Sequence, residues 1–319
     1  MSTITPTIQN KKIQDKKNGF FSKLLKQKEL LLITVPFVFL LVLFTYVPLW
    51  GWVMAFQNFK PALGVTGSEW VGLRNFIELF NDKTFYLALR NTLGISILKY
   101  VLGFASSITL AILINEVRHK KFKKIVQTVS YLPHFVSWVV AATLVSTALS
   151  PDGGIINTVL MSLHIISEPI NFMAMPKLFW PIMAISEMWK EVGWGTIIYL
   201  AAMTAIDNEM YEAASIDGAG RLRKIFSITL PSIVPTIKIL MIMNIGWLLN
   251  TGFEQVMLMQ NPIVTDYAQT LELYVYNYGI PLGRFSFATA AGIFNSVVAF
   301  ILITVFNRSA KALDGESVF

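Results

Sequence analysis

The chain has no cysteine, three histidines and few charges. Without a thiol there is no disulfide, no thiolate metal site and no cysteine nucleophile, and the compartment is left open. His119, His134 and His164 are too few and too scattered for a convincing metal site. Charged residues make up 14% of the 319 positions, against roughly 25% in an ordinary soluble domain. They would not coat a globule of this size, so a soluble enzyme, a disordered chain and a nucleic-acid-binding domain are all poor readings. Also missing are the G-x-x-x-x-G-K-[ST] phosphate loop, the H-E-x-x-H metalloprotease pattern and the G-x-S-x-G elbow. The chain therefore has no loop of that kind to cradle ATP.

What is present is apolar. Hydrophobic residues reach 54% and the mean hydropathy is +0.57. Six stretches, near 30–56, 88–115, 125–149, 178–203, 235–258 and 286–307, supply the roughly 20 residues that a helix needs to cross a bilayer. In hydrocarbon each backbone amide must be satisfied within its own segment, so each stretch is predicted as a helix. No alternation of the membrane-barrel kind occurs. The first stretch follows a basic leader but runs past the roughly 7–15 apolar residues of a signal peptide, with no cleavage site, and is expected to be retained.

The net charge of +7 is placed beside these runs rather than on one patch. The leader 1–29 holds seven Lys and the loop after the second stretch holds five basic residues, Arg118, Lys120, Lys121, Lys123 and Lys124. Four more lie at 204–238 and two in the tail, against six on the other side. Basic residues mark the cytoplasmic face, so both termini are expected there. Within the leader, Phe20, Phe21, Leu24 and Leu25 share a helical face beside Lys23, Lys26 and Lys28 over residues 18–28. This pattern fits a short interfacial helix on membrane lipid, or alternatively a solvated leader. The expected organisation is an all-α, multi-pass integral membrane protein: leader 1–29, membrane domain 30–308, tail 309–319. No nucleic-acid partner is indicated.

The cytoplasmic segment 204–235 is the most informative. Asn208 is positioned to cap a short helix through Glu212, Ala213 and Ala214, with Glu209 in its first turn. Asp217-Gly218 ends it, because glycine permits a left-handed turn. A basic helix follows, with Leu222, Ile225, Phe226 and Thr229 at helical spacing; Pro231 and Pro235 are expected to mark its end. Composition alone allows a mere connector.

The string Glu212-Ala213-Ala214, three residues, Gly218, nine residues, Ile228-Thr229-Leu230-Pro231 resembles the EAA loop of permease subunits of bacterial ABC importers, with every interval matching. Outside the loop, WVGLRNFIELF (Trp70 to Phe80) and Ala88-Leu89-Arg90-Asn91-Thr92 resemble the carbohydrate-uptake branch. YLPHFVSWVV (Tyr131 to Val140), SEMWKEVGWGTIIYLAAM (Ser186 to Met203) and YVYNYG (Tyr274 to Gly279) resemble permeases for complex polysaccharide fragments. The resemblance covers residues 28–308. It implies a type I ABC importer permease core of six transmembrane helices in the bacterial cytoplasmic membrane. It also implies a second, homologous permease, a cytoplasmic ATPase pair that holds ATP and Mg²⁺, and a sugar-binding lipoprotein outside. This chain would carry no cofactor and do no enzymatic chemistry. The coupling set it implies is Glu212, Ala213, Ala214, Asp217, Gly218, Ala219, Phe226, Leu230 and Pro231. Glu212 would meet a basic group on the ATPase, Asp217 would bond backbone at the turn, and Phe226 and Leu230 would anchor the second helix. A permease for a non-sugar solute, and a channel, are the alternatives.

Polar groups inside the apolar stretches ask for partners or a wet path, since each central charge costs about 2.5–3.5 kcal/mol on insertion scales. Glu187, Lys190, Glu191 and Trp194 fall on one helical face of the fourth stretch. Trp247, Asn250 and Glu254, with Asn244 nearby, have similar spacing in the fifth; Lys99 and Asn295 lie in the second and sixth. One reading is an aromatic-lined sugar cavity, where rings stack on pyranoses and carboxylates and amides bond hydroxyls. The other is structural: Glu187 or Glu191 pairs with Lys190 or Lys99, and the asparagines join helices. The two are compatible. Glu187 and Glu191 as a glycosidase pair is the weakest reading. His134, beside Pro133, is expected to pack or bond to a neighbouring helix.

Overall fold

The computed structural model describes residues 27–314, with side chains to 308. Residues 18–26, which carry most of the expected interfacial helix, and the last five lie outside the described residues. The chain divides after Val53 into two units. In the first, α1 (Lys28–Leu41) continues through a π-turn, Val42–Tyr46, into a 3₁₀ run from Val47. Pro36 lies within α1 without ending it.

In the second unit a two-residue strand β1 (Gln57–Asn58) pairs antiparallel with β2 (Glu69–Trp70). Then follow α2 (Arg74–Asn81), α3 (Lys83–Glu116), α4 (Lys120–Tyr131), α5 (Trp138–Ala148), α6 (Ile155–Ser162) and α7 (Phe179–Thr204). The remainder is α8 (Asn208–Ile216), α9 (Leu230–Ile245), α10 (Phe253–Met259), α11 (Leu271–Gly279) and α12 (Phe285–Asp314), with short turns between.

The long α3 organises the packing. Its start is fixed by Asp82, whose carboxylate accepts the Thr84 amide at 2.8 Å. Phe85 then joins Leu79, Tyr274 and Phe287 in one apolar cluster. Ile95 joins Met183, Val256 and Leu273 in a second, and Ala111 and Ile114 join Tyr199, Met203 and Ile233 in a third. The Arg90-Asn91-Thr92 string has a structural task. Asn91 donates to the Asp266 and Gln269 carbonyls at 3.0 and 2.9 Å, and Thr92 Oγ1 accepts the Leu271 amide at 2.8 Å. Arg90 donates to the Asp266 carbonyl at 2.7 Å and lies over the Tyr267 ring. These bonds seat the loop that precedes α11.

Among the described residues four helical runs are long and apolar enough to cross a membrane: Lys28–Phe56, Lys83–Glu116, Arg221–Ile245 and Phe285–Arg308. A fifth is a bent pair, Lys120–Phe135 with Trp138–Ala148. Helix α7 has 26 residues but carries Glu187, Lys190 and Glu191 within five positions, which separates it from these runs.

Three expectations need correction. The third apolar stretch is not one helix but an elbow bent by 105°. Its cause is a 3₁₀ turn, Leu132–Phe135, containing Pro133, after which Ser137 recaps the chain at α5. The fifth stretch ends as a helix at Ile245 and crosses by turns to Gly252, where φ is +80°. Trp247, Asn250 and Glu254 therefore do not share a helical face. Finally, Pro231 and Pro235 do not end the basic helix. Arg221–Lys224 runs through a π-turn, Ile225–Thr229, into α9, with Pro231 in its first turn and Pro235 inside it. A wide turn accommodates residues that lack an amide donor.

Candidate functional site

A cavity of about 570 Å³ lies between α3, α7, the end of α9 and the crossing that follows it. Six of the expected path residues line it: Glu187, Glu191, Trp194, Asn244, Trp247 and Asn250. Three do not. Lys190 turns away from it and is buried, donating to the His134 carbonyl at 2.8 Å and to Glu191 Oε1 at 2.9 Å. Glu254 is exposed in the first turn of α10, beyond the break in the helix. Asn295 lines a neighbouring cavity of about 410 Å³ that shares Trp247 and Asn250 with the first. Its Oδ1 is buried with no hydrogen-bond partner among the described residues.

The elbow before α5 packs against Trp194, which lines the cavity. His134 stacks on Trp194 with ring centroids 4.4 Å apart and planes 4° from parallel. Its Nδ1 lies 2.6 Å from Glu191 Oε2. His134 thus bonds a neighbouring helix, as its position beside Pro133 suggested. The close approach depends on Gly193: a Cβ there would sit 1.9 Å from the Ser130 carbonyl oxygen.

Lys99 on α3 lines the cavity as well. It pairs with Glu187 Oε2 at 3.4 Å, donates to the Thr251 carbonyl at 2.6 Å and contacts Gln255 Oε1. Glu272, from α11, completes the lining; its Oε2 accepts from the Thr251 amide at 3.1 Å and from Thr251 Oγ1 at 3.0 Å. Burial pushes the Glu272 carboxyl above the usual carboxylate range, against the opposing pull of the Thr251 bonds and the Lys99 charge. Sequence reasoning missed Glu272, because it lies outside every apolar stretch and only the chain's return path brings it back. The two acids of α7 each have a cationic partner, yet both also face the cavity. The ion pairs of the structural reading are present, on side chains that also line the cavity.

The cavity lining is mostly apolar, with aromatic rings and a few polar groups. Tyr100, Trp194, Tyr199 and Trp247 offer faces, while Asn244, Asn250 and the carboxylates offer hydrogen-bond groups.

At the opposite end of α7 stands the EAA-type loop. The cap of α8 is Asp207, whose Oδ1 accepts the Glu209 amide at 2.9 Å; Asn208 is the first helical residue instead of the cap. The helix ends on Gly218 with φ +75°, Ala219 N–H donating to Ala214 O at 2.8 Å and Gly218 N–H to Ser215 O at 3.2 Å. This is the double bond pattern of a left-handed helix stop. Asp217 supports the turn through its amide, which donates to Ala213 O at 3.0 Å. The second helix is held by buried Ile228 and Thr229, the latter 2.9 Å from the Tyr211 hydroxyl, and by Leu230 in the third apolar cluster. Phe226, expected as an anchor, is 64% exposed among the described residues. Ile216 and Leu222 are exposed too, as are Glu212 and Ala213.

Residues 84–314 match the family model described as the inner membrane component of binding-protein-dependent transport systems. The chain is 45% identical over 306 residues to the polygalacturonan/rhamnogalacturonan transport system permease protein YteP of Bacillus subtilis (strain 168), covering 96% of this chain and 95% of that one. It is 42% identical over 301 residues to Protein LplB of the same organism, covering 94% of each. Among solved structures it resembles a chain of a bacterial ABC transporter involved in the import of the acidic polysaccharide alginate. The TM-score is 0.84 at 38% identity, over 92% of this chain and 99% of that one.

Proposed function

The chain belongs to the family of inner membrane components of binding-protein-dependent transport systems, and from that premise we propose that it is the permease subunit of an ATP-driven importer that carries an oligosaccharide, a polysaccharide fragment, across the cytoplasmic membrane. The observation that carries the reading is the near full-length likeness to a polysaccharide permease. The cavity supplies fitting chemistry: indole and phenol faces against sugar rings, amides and carboxylates against hydroxyls.

In this reading six segments span the bilayer: the α1 run, α3, the α4–α5 elbow, α7, α9 with its crossing, and α12. Helix α7 joins them because its charges are matched inside the protein, Glu187 by Lys99 and Glu191 by Lys190. Both termini lie in the cytoplasm, where the lysine-rich loops are. A second, homologous permease completes the membrane part, a cytoplasmic ATPase pair binds ATP and Mg²⁺, and a sugar-binding lipoprotein delivers the cargo. The knuckle at Asn208–Lys224 seats in the ATPase through Glu212, Ala213 and the apolar trio of Ile216, Leu222 and Phe226. Its tie through Tyr211 and Thr229 into α9 turns ATPase closure into helix motion.

Membrane vesicles holding the complete transporter provide the test, challenged with labelled fragments of polygalacturonan, rhamnogalacturonan, alginate and neutral glycans. ATP-dependent uptake of at least one is expected. Uptake of none, with ATP hydrolysis stimulated only by a non-sugar solute, would sink the proposal.

A further inference from the structure

The bonds of Lys99 are arranged for more than neutralising a carboxylate. Its ammonium has three protons. One points to Glu187 on α7 at 3.4 Å, the longest of its contacts. The other two go to neutral acceptors, the Thr251 carbonyl at 2.6 Å and the Gln255 amide oxygen. The first acceptor belongs to the break between α9 and α10, the second to the first turn of α10. Chain without helical bonds must find other partners when buried, and Thr251 is 1% exposed. Lys99 takes its carbonyl and Glu272 takes its amide and hydroxyl, so every polar group of Thr251 is held by a charged residue from another element. Gln255, fully buried, extends the grip by donating to Met183 O and Ser186 Oγ at 2.9 and 2.8 Å on α7. The same crossing carries Trp247 and Asn250, which stand between the two cavities.

We propose that Lys99 is a positioning residue that latches the crossing Gly246–Gly252 to α3 and α7, and that Glu272 ties this latch to α11, so that displacement of α11 releases the crossing and moves Trp247 and Asn250 in the path. The latch rests on the permease reading of the cavity. Gly252 fits the same design: its φ of +80° turns the chain, and a Cβ there would lie 3.5 Å from Lys99 Nζ.

The chain has no cysteine, so a single thiol reports cleanly. Leu249 is buried within the crossing at 1% exposure and takes no part in the latch. In the assembled transporter, without sugar, Leu249→Cys should react slowly with a maleimide. Adding Lys99→Met should speed the reaction about tenfold or more, the factor carried by loss of a hydrogen bond to a charged group. Lys99→Arg should restore much of the protection. Where Lys99→Met does not assemble, Thr251→Val and Glu272→Gln take its place in the same background, and faster labelling is again expected. Equal rates in Lys99→Met, or in both substitute variants, and in the parent would overturn the latch, leaving Lys99 a structural ion-pair partner. Because this readout uses no sugar, its failure is distinct from a failure of the uptake test.

Discussion

Two glycines do opposite work, and the difference sets what their substitution should cost. Gly218 stands in open space at φ +75°, so a side chain there meets no neighbour and loses only backbone conformation, about 1–2 kcal/mol. Gly218→Asp should therefore leave the protein folded and assembled while it distorts the knuckle. Sugar-stimulated ATP hydrolysis and uptake should both disappear with the binding protein still docking; uptake at the parental rate would reduce the loop to a connector. Gly193 faces backbone at 1.9 Å, which no rotamer change relieves. Gly193→Ala should cost about 1–3 kcal/mol or more as α7 parts from the α4 elbow, read as loss of assembled complex in detergent. A third residue ties stability to pH. Burial raises the Asp82 carboxyl, but hydrogen bonds from Tyr274 and from Thr84 outweigh it and hold the group below its ordinary value. A folded-state value below the unfolded one gives stability that is present above the unfolded value, near 4, and is lost as pH falls through the folded one. Asp82→Asn should accordingly lower the melting temperature at neutral pH, and the gap to the parent should close below about pH 4.

The residues on the polar face of helix α7 divide by burial. Trp194 is 47% exposed, stacked on His134 with Phe135 edge-on to its ring, and lines the cavity. Glu191 by contrast satisfies Lys190, which is 6% exposed. Removing one partner of a buried pair leaves an uncompensated charge, at about 3–5 kcal/mol. Trp194→Ala should thus lower uptake in a complex that still assembles and hydrolyses ATP, whereas Glu191→Leu should lose assembly first. Equal assembly of the two variants, measured by co-purification of the ATPase, would contradict this division. The spacing of Glu187, Glu191 and Trp194 was legible because an unbroken helix keeps offsets of three and four on one face. Trp247 and Asn250 reached the cavity for a different reason than their spacing indicated. They sit on a broken crossing, and hydropathy reads composition along a stretch without registering where its hydrogen bonds stop. The elbow at Pro133 was hidden in the same way. Loop 204–235 was the clearest element in sequence, since caps and glycine stops act locally, although Asp207 rather than Asn208 does the capping. Lys99 was visible as a charge in an apolar stretch, but its partners Thr251, Gln255 and Glu272 are more than 150 positions away, and no local rule reaches them.

At the scale of the molecule the proposed topology rests on where the charges lie. Basic residues resist transfer across the bilayer, so the lysine-rich leader, the Arg118–Lys124 loop and the Arg221–Lys224 turn should stay on one side. The knuckle goes with them, because the Arg221–Lys224 turn is part of it, and it exposes Ile216 at 88%. The six proposed spans would return the chain to that same side after α12. The prediction follows from single thiols in the cysteine-free chain. Ser2→Cys and Ser317→Cys should react with an impermeant maleimide only from the cytoplasmic face, and Asp152→Cys only from outside. Ile216→Cys should react from the cytoplasmic face in membranes lacking the ATPase and become protected when the ATPase is added back. External labelling at either terminus would mean that one of the six spans does not cross. A bent α4–α5 that enters and leaves on one side would be the first suspect, since its 105° elbow is the one span whose geometry also suits a re-entrant loop. Failure of the ATPase to protect Ile216→Cys, with the termini correctly placed, would leave the topology standing and move the docking surface elsewhere on the cytoplasmic face.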